Sequence, residues 1–370
     1  MTRDLHIAAA LMLAMEIVAQ VAFPPPNPDL PGEGHTHDGR PAIMLEGNPY
    51  LLWELAPGEM EVSGGRAYVN ELGFRDVERG DKTRKRAIAL GDSSFYGFGV
   101  DDKQVFTAVL ESRLDADFIN GGVPGYSSQQ GLNLLDLRGW ELEPDLLVVC
   151  NLWSDNNFDS WVDHELMADR AEVTSTFGYR LRNVLSVSAL FGWADWIVNR
   201  NQRAELAKQI NYIRGPERQG IGLRRVPINR YAANLERYAT EMHARGGGVL
   251  FLMPTNREDT LQKLEHHPWD PYRDVMRFMA ERWNAPLVEL WRVFPDRGGI
   301  GLFVDEIHPN AQGHQIMGEQ IELALRARNW PAEPLQLTPP TTPLPTFEDP
   351  YEGRGVELGL VGTAPDPTAQ

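Results

Sequence analysis

Between residues 87 and 328 one pattern recurs: a short apolar run, a loop of small and polar residues, then a stretch with apolar residues at helical spacing. The apolar runs are AIALG (87–91), DFING (117–121), DLLVVC (145–150), GVLFLMP (248–254) and APLVEL (285–290). Stretches around 104–114, 128–140, 229–244, 271–283 and 311–328 read as helices. The third carries Tyr231, Leu235, Tyr238 and Met242 on one face, and the fourth Val275, Met276, Met279 and Ala280. Strands alternating with helices in this way are joined by crossovers and pair in parallel, with helices covering both sheet faces. The expectation is a three-layer α/β/α domain with five parallel strands, taking its ligand at their carboxyl ends. A hydrophobic content of 42% is ample for such a core.

The ends of the chain break the pattern. Residues 5–23 (LHIAAALMLAMEIVAQVAF) are apolar behind Arg3 and stop at Pro24-Pro25-Pro26, close to the roughly 20 residues a membrane span needs. Residues 1–23 therefore read as an N-terminal membrane anchor or signal segment, against the alternative of a buried helix; Glu16 and Gln20 interrupt the stretch. Residues 24–57 read as a Pro/Gly-rich tether, 58–330 as the catalytic domain and 331–370 as a proline-rich, extended or disordered tail. Within the domain, residues 158–228 form an insertion that does not fit the alternation. Its apolar residues, among them Leu181, Val184, Leu185, Leu190, Phe191, Trp193 and Trp196, could roof a site, bind an acyl or sugar group, touch a membrane or pack on the body.

A formal net charge of −17 repels polyanions, so nucleic acid is excluded as a partner. The single cysteine, Cys150, sits within an apolar run and reads as a small core residue, which leaves no disulfide framework or thiolate metal site. The pairs His35/His37 and His266/His267 lack an element to fix metal geometry, and no metal or organic cofactor is called for.

The chemistry concentrates at strand ends. ALGDSSFYG puts Ser93 after the first strand and at the start of a helix, where backbone N–H groups point at the hydroxyl and can hold a developing oxyanion. A serine nucleophile needs a base within hydrogen-bond reach, itself oriented by an acid. LFVDEIHPNAQGH (302–314) offers both: the Asp305 carboxylate can reach Nδ1 of His308, leaving Nε2 to face Ser93. Taken singly, Asp305 and His308 read equally as caps of the following helix. NGGVPGYSSQQG (120–131) places Gly125 where a backbone N–H can approach a substrate oxygen. VVCNLWSDNNF (148–158) places Ser154, Asp155, Asn156 and Asn157 just past the third strand.

Gly-Asp-Ser after the first strand, Asn-x-x-x-x-Gly-x-Ser-x-Gln after the second, a Gly-x-Asn-Asp-like rim after the third and Asp-x-x-His-Pro near the end resemble the SGNH/GDSL hydrolase superfamily. The resemblance runs over residues 69–328 and includes VNELGFRD (69–76), similar to a lead-in of some anchored bacterial members. It implies a flavodoxin-like parallel sheet and ester hydrolysis by Ser93 as nucleophile, His308 as base and Asp305 as orienting acid. Ser93 and Gly125 would supply oxyanion N–H groups. The superfamily's third donor is an asparagine; here the aligned residues are Leu152-Trp153-Ser154-Asp155, so Ser154, or else Asn156 or Asn157, would stand in. The expected function is a serine esterase acting on O-acyl esters of an extracytoplasmic, cell-envelope substrate. Alternatives are an O-acyltransferase of a surface polysaccharide and a binding protein with weakened catalysis.

Overall fold

The computed structural model describes residues 2–23, 34–35, 41–43, 45–48, 50–62, 65–159, 162–168, 177–185, 187–194, 197–198, 223–261 and 267–354. Five strands form the central sheet: β1 (Lys85–Gly91), β2 (Ala116–Gly122), β3 (Leu146–Val149), β4 (Gly248–Met253) and β5 (Leu287–Glu289). Every pairing is parallel and the spatial order is β2-β1-β3-β4-β5. This is the flavodoxin-like order, with its topological switch between β1 and β3. The apolar runs became strands because the sheet is covered on both faces: β2, β3 and β4 are buried throughout, while the edge strand β5 buries only Val288.

The helices follow the expected segments, with ends set by local chemistry. Helix α1 (Thr2–Ala22) precedes the domain and α2 (Ser93–Tyr96) follows β1 directly. Helix α3 spans Phe106–Glu111 and α4 spans Ser128–Leu137. Helix α4 begins in a capping box, Ser127 accepting from Gln130 N–H while the Gln130 side chain accepts from Ser127 N–H. Helices α5 (Ile228–Ala244), α6 (Asp270–Trp283) and α7 (Ala311–Arg326) complete the layers, α7 capped by Asn310, whose side chain accepts from the N–H groups of Gln312 and Gly313.

Two expectations about the ends need correction. The tether does not continue to residue 57: Leu45–Asn48 pairs antiparallel with Leu52–Leu55, and Leu51, Leu52, Trp53 and Leu55 are buried in the main core. Proline density misled there because the run YLLWELA (50–56) is apolar enough to pack. The tail is extended but not disordered over 331–354. Leu335 and Leu337 are buried, Thr338 N–H donates to Trp283 O, and Asp349 pairs with the fully buried Arg224. Residues 24–33, 36–40 and 355–370 lie outside the described residues, as do His37, Trp196 and His266.

Among the described residues no helix is long and apolar enough to cross a membrane. The insertion leaves the body on a two-stranded stem, Phe158–Asp159 against Leu223–Arg224. The described part of the insertion meets α1: Glu16 accepts from Ser188 Oγ and from the N–H groups of Ala189 and Leu190, and Trp193 Nε1 donates to Phe23 O. Leu181, Val184, Leu185 and Leu190 are exposed and do not pack on the α/β body.

Candidate active site

Ser93 is the first residue of α2, at the carboxyl end of β1 and beside the switch point. The preceding Asp92 caps the helix by accepting from Ser94 N–H at 3.0 Å, which forces a sharp turn and lifts Ser93 out of the sheet. Burial pushes the Asp92 carboxyl up to about 6, against the Ser94 hydrogen bond and the nearby His308. The helix can start this close to the sheet because β2 ends in Gly122; a Cβ there would lie 2.4 Å from Tyr96 N.

His308 reaches the same point from the far end of the sequence. Its Nε2 lies 2.8 Å from Ser93 Oγ, and its Nδ1 lies 2.6 Å from Asp305 Oδ2. With the Nδ1 proton donated to the carboxylate, Nε2 is the acceptor for the serine O–H. The other Asp305 oxygen accepts from the N–H groups of Ile307 and His308, at 3.0 and 2.9 Å. Burial alone would raise the Asp305 carboxyl; the His308 ring and those two N–H groups outweigh it and hold it at about 2. Val304 N–H donates to His308 O, closing the loop, and the Phe98 ring packs 4.8 Å from the imidazole.

Gly125 lies in the turn after β2, the strand that pairs with β1. Val123 O accepts from Tyr126 N–H at 3.0 Å around Pro124-Gly125, and Gly125 has φ +77°, which defines a type II turn. Neither the Ser93 nor the Gly125 N–H has an acceptor among the described residues. Ser154 lies in the short helix Trp153–Asn156 after β3 and is 3% exposed; its hydroxyl likewise has no partner among the described residues. The neighbouring Asp155 points away, accepting from Ser128 N–H and Ser128 Oγ at 2.9 and 2.5 Å, and burial pushes it up to about 7 against those bonds. Asn156 turns back, its Nδ2 donating to Leu152 O at 2.6 Å while Arg224 holds its carbonyl. Of the three stand-ins for the absent asparagine, the Asn156 amide is committed elsewhere, Asn157 follows the short helix with its carbonyl accepting from Arg225 N–H, and the Ser154 hydroxyl has no partner among the described residues.

Three residues around the site carried no sequence signal. Arg225 is fully buried; it donates to Gly125 O at 2.8 Å and Gln130 Oε1 at 2.9 Å, and forms a two-pronged pair with the buried Asp163 at 2.9 and 2.7 Å. Trp53 Nε1 donates to Pro124 O at 2.9 Å, and Tyr126 Oη donates to Trp53 O at 2.6 Å. Arg225 and Asp163 face each other across the insertion's two ends, and Trp53 lies in the segment read as tether. No cluster of metal-ligating side chains occurs among the described residues.

Residues 89–316, more than half of the chain, match the model of the GDSL-like lipase/acylhydrolase family. Among solved structures, the chain is similar to LAE5, an alpha/beta hydrolase enzyme from the metagenome of Lake Arreo, Spain, at 16% identity and TM-score 0.42, covering 65% of this chain and 94% of that one. It is similar also to a lipase/acylhydrolase from Enterococcus faecalis at 15% identity and TM-score 0.41, over 70% of this chain and all of that one. The acetyl xylan esterase AlAXEase matches at 13% identity and TM-score 0.42, over 65% of this chain and 99% of its own. No curated protein sequence matches the chain.

Proposed function

The chain belongs to the GDSL-like lipase/acylhydrolase family and is an acyl ester hydrolase; on that premise we propose that Ser93, His308 and Asp305 carry the reaction. The observation that supports this reading is the continuous relay from Ser93 Oγ through His308 to Asp305, at 2.8 and 2.6 Å. Ser93 Oγ attacks the ester carbonyl carbon while its proton passes to His308 Nε2. Asp305, ionised across the working pH range, stabilises the imidazolium and keeps the ring in its reactive tautomer. The charge that develops on the carbonyl oxygen is met by the Ser93 and Gly125 N–H groups, with the Ser154 hydroxyl as third donor. Collapse expels the alcohol, which takes its proton from His308. Water, deprotonated by the same nitrogen, then releases the acid from the acyl-serine.

The substrate in this proposal is an O-acyl ester of the cell envelope, and residues 1–23 hold the enzyme at a membrane on the extracytoplasmic side. In support, Ile7, Leu11, Leu13, Ile17 and Val21 of α1 are exposed. Full-length protein should hydrolyse p-nitrophenyl acetate and be labelled by a fluorophosphonate, with both lost in Ser93→Ala. Labelling that survives this substitution refutes the assignment. Measuring acetate release with and without a glycan acceptor distinguishes hydrolysis from acyl transfer.

A further inference from the structure

We infer that Trp53 is a positioning residue for the hydrolysis: its indole N–H locks the Pro124–Gly125 peptide so that the Gly125 N–H faces the substrate oxygen. This rests on the oxyanion role proposed above for Gly125. The argument begins with the peptide unit itself. The N–H of Gly125 and the C=O of Pro124 belong to one trans peptide plane, so they point in opposite directions. Types I and II turns differ by a flip of this central peptide, which exchanges the direction of its N–H and its C=O. In the type I orientation the Gly125 N–H would point where the Pro124 carbonyl now points. A Pro-Gly pair favours type II through the positive φ available to glycine, yet glycine also tolerates the flipped form.

Trp53 removes that freedom. Its Nε1 donates to Pro124 O at 2.9 Å from a residue only 2% exposed, so a flip would take that carbonyl away from a buried indole N–H. The residue is itself gripped from the turn, Tyr126 Oη donating to Trp53 O at 2.6 Å. The next peptide plane is held by Arg225, which donates to Gly125 O at 2.8 Å and lies over the Trp53 ring at 5.5 Å, a contact that the benzothienyl side chain keeps in shape. Both carbonyls of the turn are thus tied to the body of the protein, while the N–H between them has no acceptor among the described residues. A donor whose opposite end already accepts a hydrogen bond is also more polarised. Trp53 lies outside residues 89–316, so this device comes from the hairpin that precedes the family's matched region.

The test uses the full chain carrying β-(3-benzothienyl)alanine at position 53, which keeps the bicyclic shape and loses only the N–H, with Trp53→Phe as the ordinary variant. The expected result for p-nitrophenyl acetate is a kcat lower by about tenfold or more, since losing a donor outright costs 10²–10³-fold in other enzymes. KM should change little, because the oxyanion exists only beyond the ground state. The ratio of ester to thionoester turnover should fall as well, because sulfur draws less on oxyanion donors; a merely structural role lowers both substrates together and leaves the ratio unmoved. An unchanged kcat, or a loss with constant ratio, overturns the inference. Ser93→Ala is assayed alongside: if it keeps activity, the serine reading itself is wrong, whereas an inactive Ser93→Ala beside a fully active benzothienyl protein refutes the role of Trp53 alone.

Discussion

Replacing Asp305 with asparagine should leave the fold intact and cost about 10⁴-fold in kcat, the loss seen when a triad acid becomes an amide. The local geometry explains why the two effects separate. One carboxylate oxygen of Asp305 accepts from two backbone N–H groups, Ile307 and His308, and the other faces His308 Nδ1. In asparagine only the carbonyl oxygen can accept, so it stays with the two backbone donors. The NH₂ group is left facing Nδ1, which must then act as acceptor and give up its proton. The imidazole proton moves to Nε2, where it points at Ser93 Oγ, 2.8 Å away, and the base is blocked. A 10⁴-fold fall corresponds to about 5.5 kcal/mol of barrier. The assay is p-nitrophenyl acetate turnover at pH 7–8 with a melting curve on the same preparation. A loss below about tenfold with unchanged melting would refute the assigned role of Asp305. The pH profile offers a second check: Asp305 is held at about 2, so its ionisation should add no inflection to activity above about pH 3. Its depressed value stabilises the fold above the unfolded-state 3.8, and that contribution is lost as pH falls toward 2.

Three further outcomes follow from the same structure. Ser154→Asn supplies the carboxamide found in related enzymes and should keep or raise esterase turnover, by up to about 10²-fold if the serine donates weakly; a clear fall without loss of melting temperature would remove Ser154 from the oxyanion site. Asp349→Ala strips the directly paired carboxylate from the guanidinium of the fully buried Arg224, which among the described residues also donates to the carbonyls of Asn156 and Pro268 and lies over the Phe158 ring; urea unfolding should report a loss of about 3–5 kcal/mol, and a shift under about 1 kcal/mol would mean the tail is dispensable. His314 is fully buried against Phe106, and burial, with Arg75 and His308 nearby, pushes its ring down to about 3. Between about 3 and the unfolded 6.5 the unfolded chain binds the extra proton, so stability rises with pH across that window. His314→Phe should flatten the pH dependence of the urea-unfolding free energy there by up to about 1.4 kcal/mol per pH unit, and parallel profiles would refute the assignment. The comparison with wild type is needed because the raised carboxyls of Asp92 and Asp155 tilt the same window the other way.

Much of the site was legible because its parts are local. Asp305 and His308 are three residues apart in one loop, and Ser93 follows its strand by two positions, so spacing and strand order were enough to bring them together in the reading. The five strands were legible for a similar reason: burial on both faces leaves an unbroken apolar run that survives any detail of packing. The reading went astray where composition and contact disagree. YLLWELA lies beside a proline-rich stretch, and its tryptophan is fastened to the body by a hydrogen bond spanning 71 residues. The proline-rich tail reads from composition as extended or disordered, yet prolines give an extended chain little left to lose on ordering, and apolar Leu335 and Leu337 with one buried ion pair hold it down.

Sequence alone determined the layered α/β architecture, the strand-end placement of Ser93 and the reach of the Asp305 carboxylate to His308, since each is written in a short-range period or spacing. Tertiary structure alone decided what holds the Pro124–Gly125 turn: Trp53 on the carbonyl of Pro124, Arg225 on that of Gly125, and Asp163 behind Arg225. Those contacts join residues 71, 100 and 62 positions apart. A hydrogen bond depends on where two groups meet in space, and over such separations the chain carries no periodicity from which the meeting could be read.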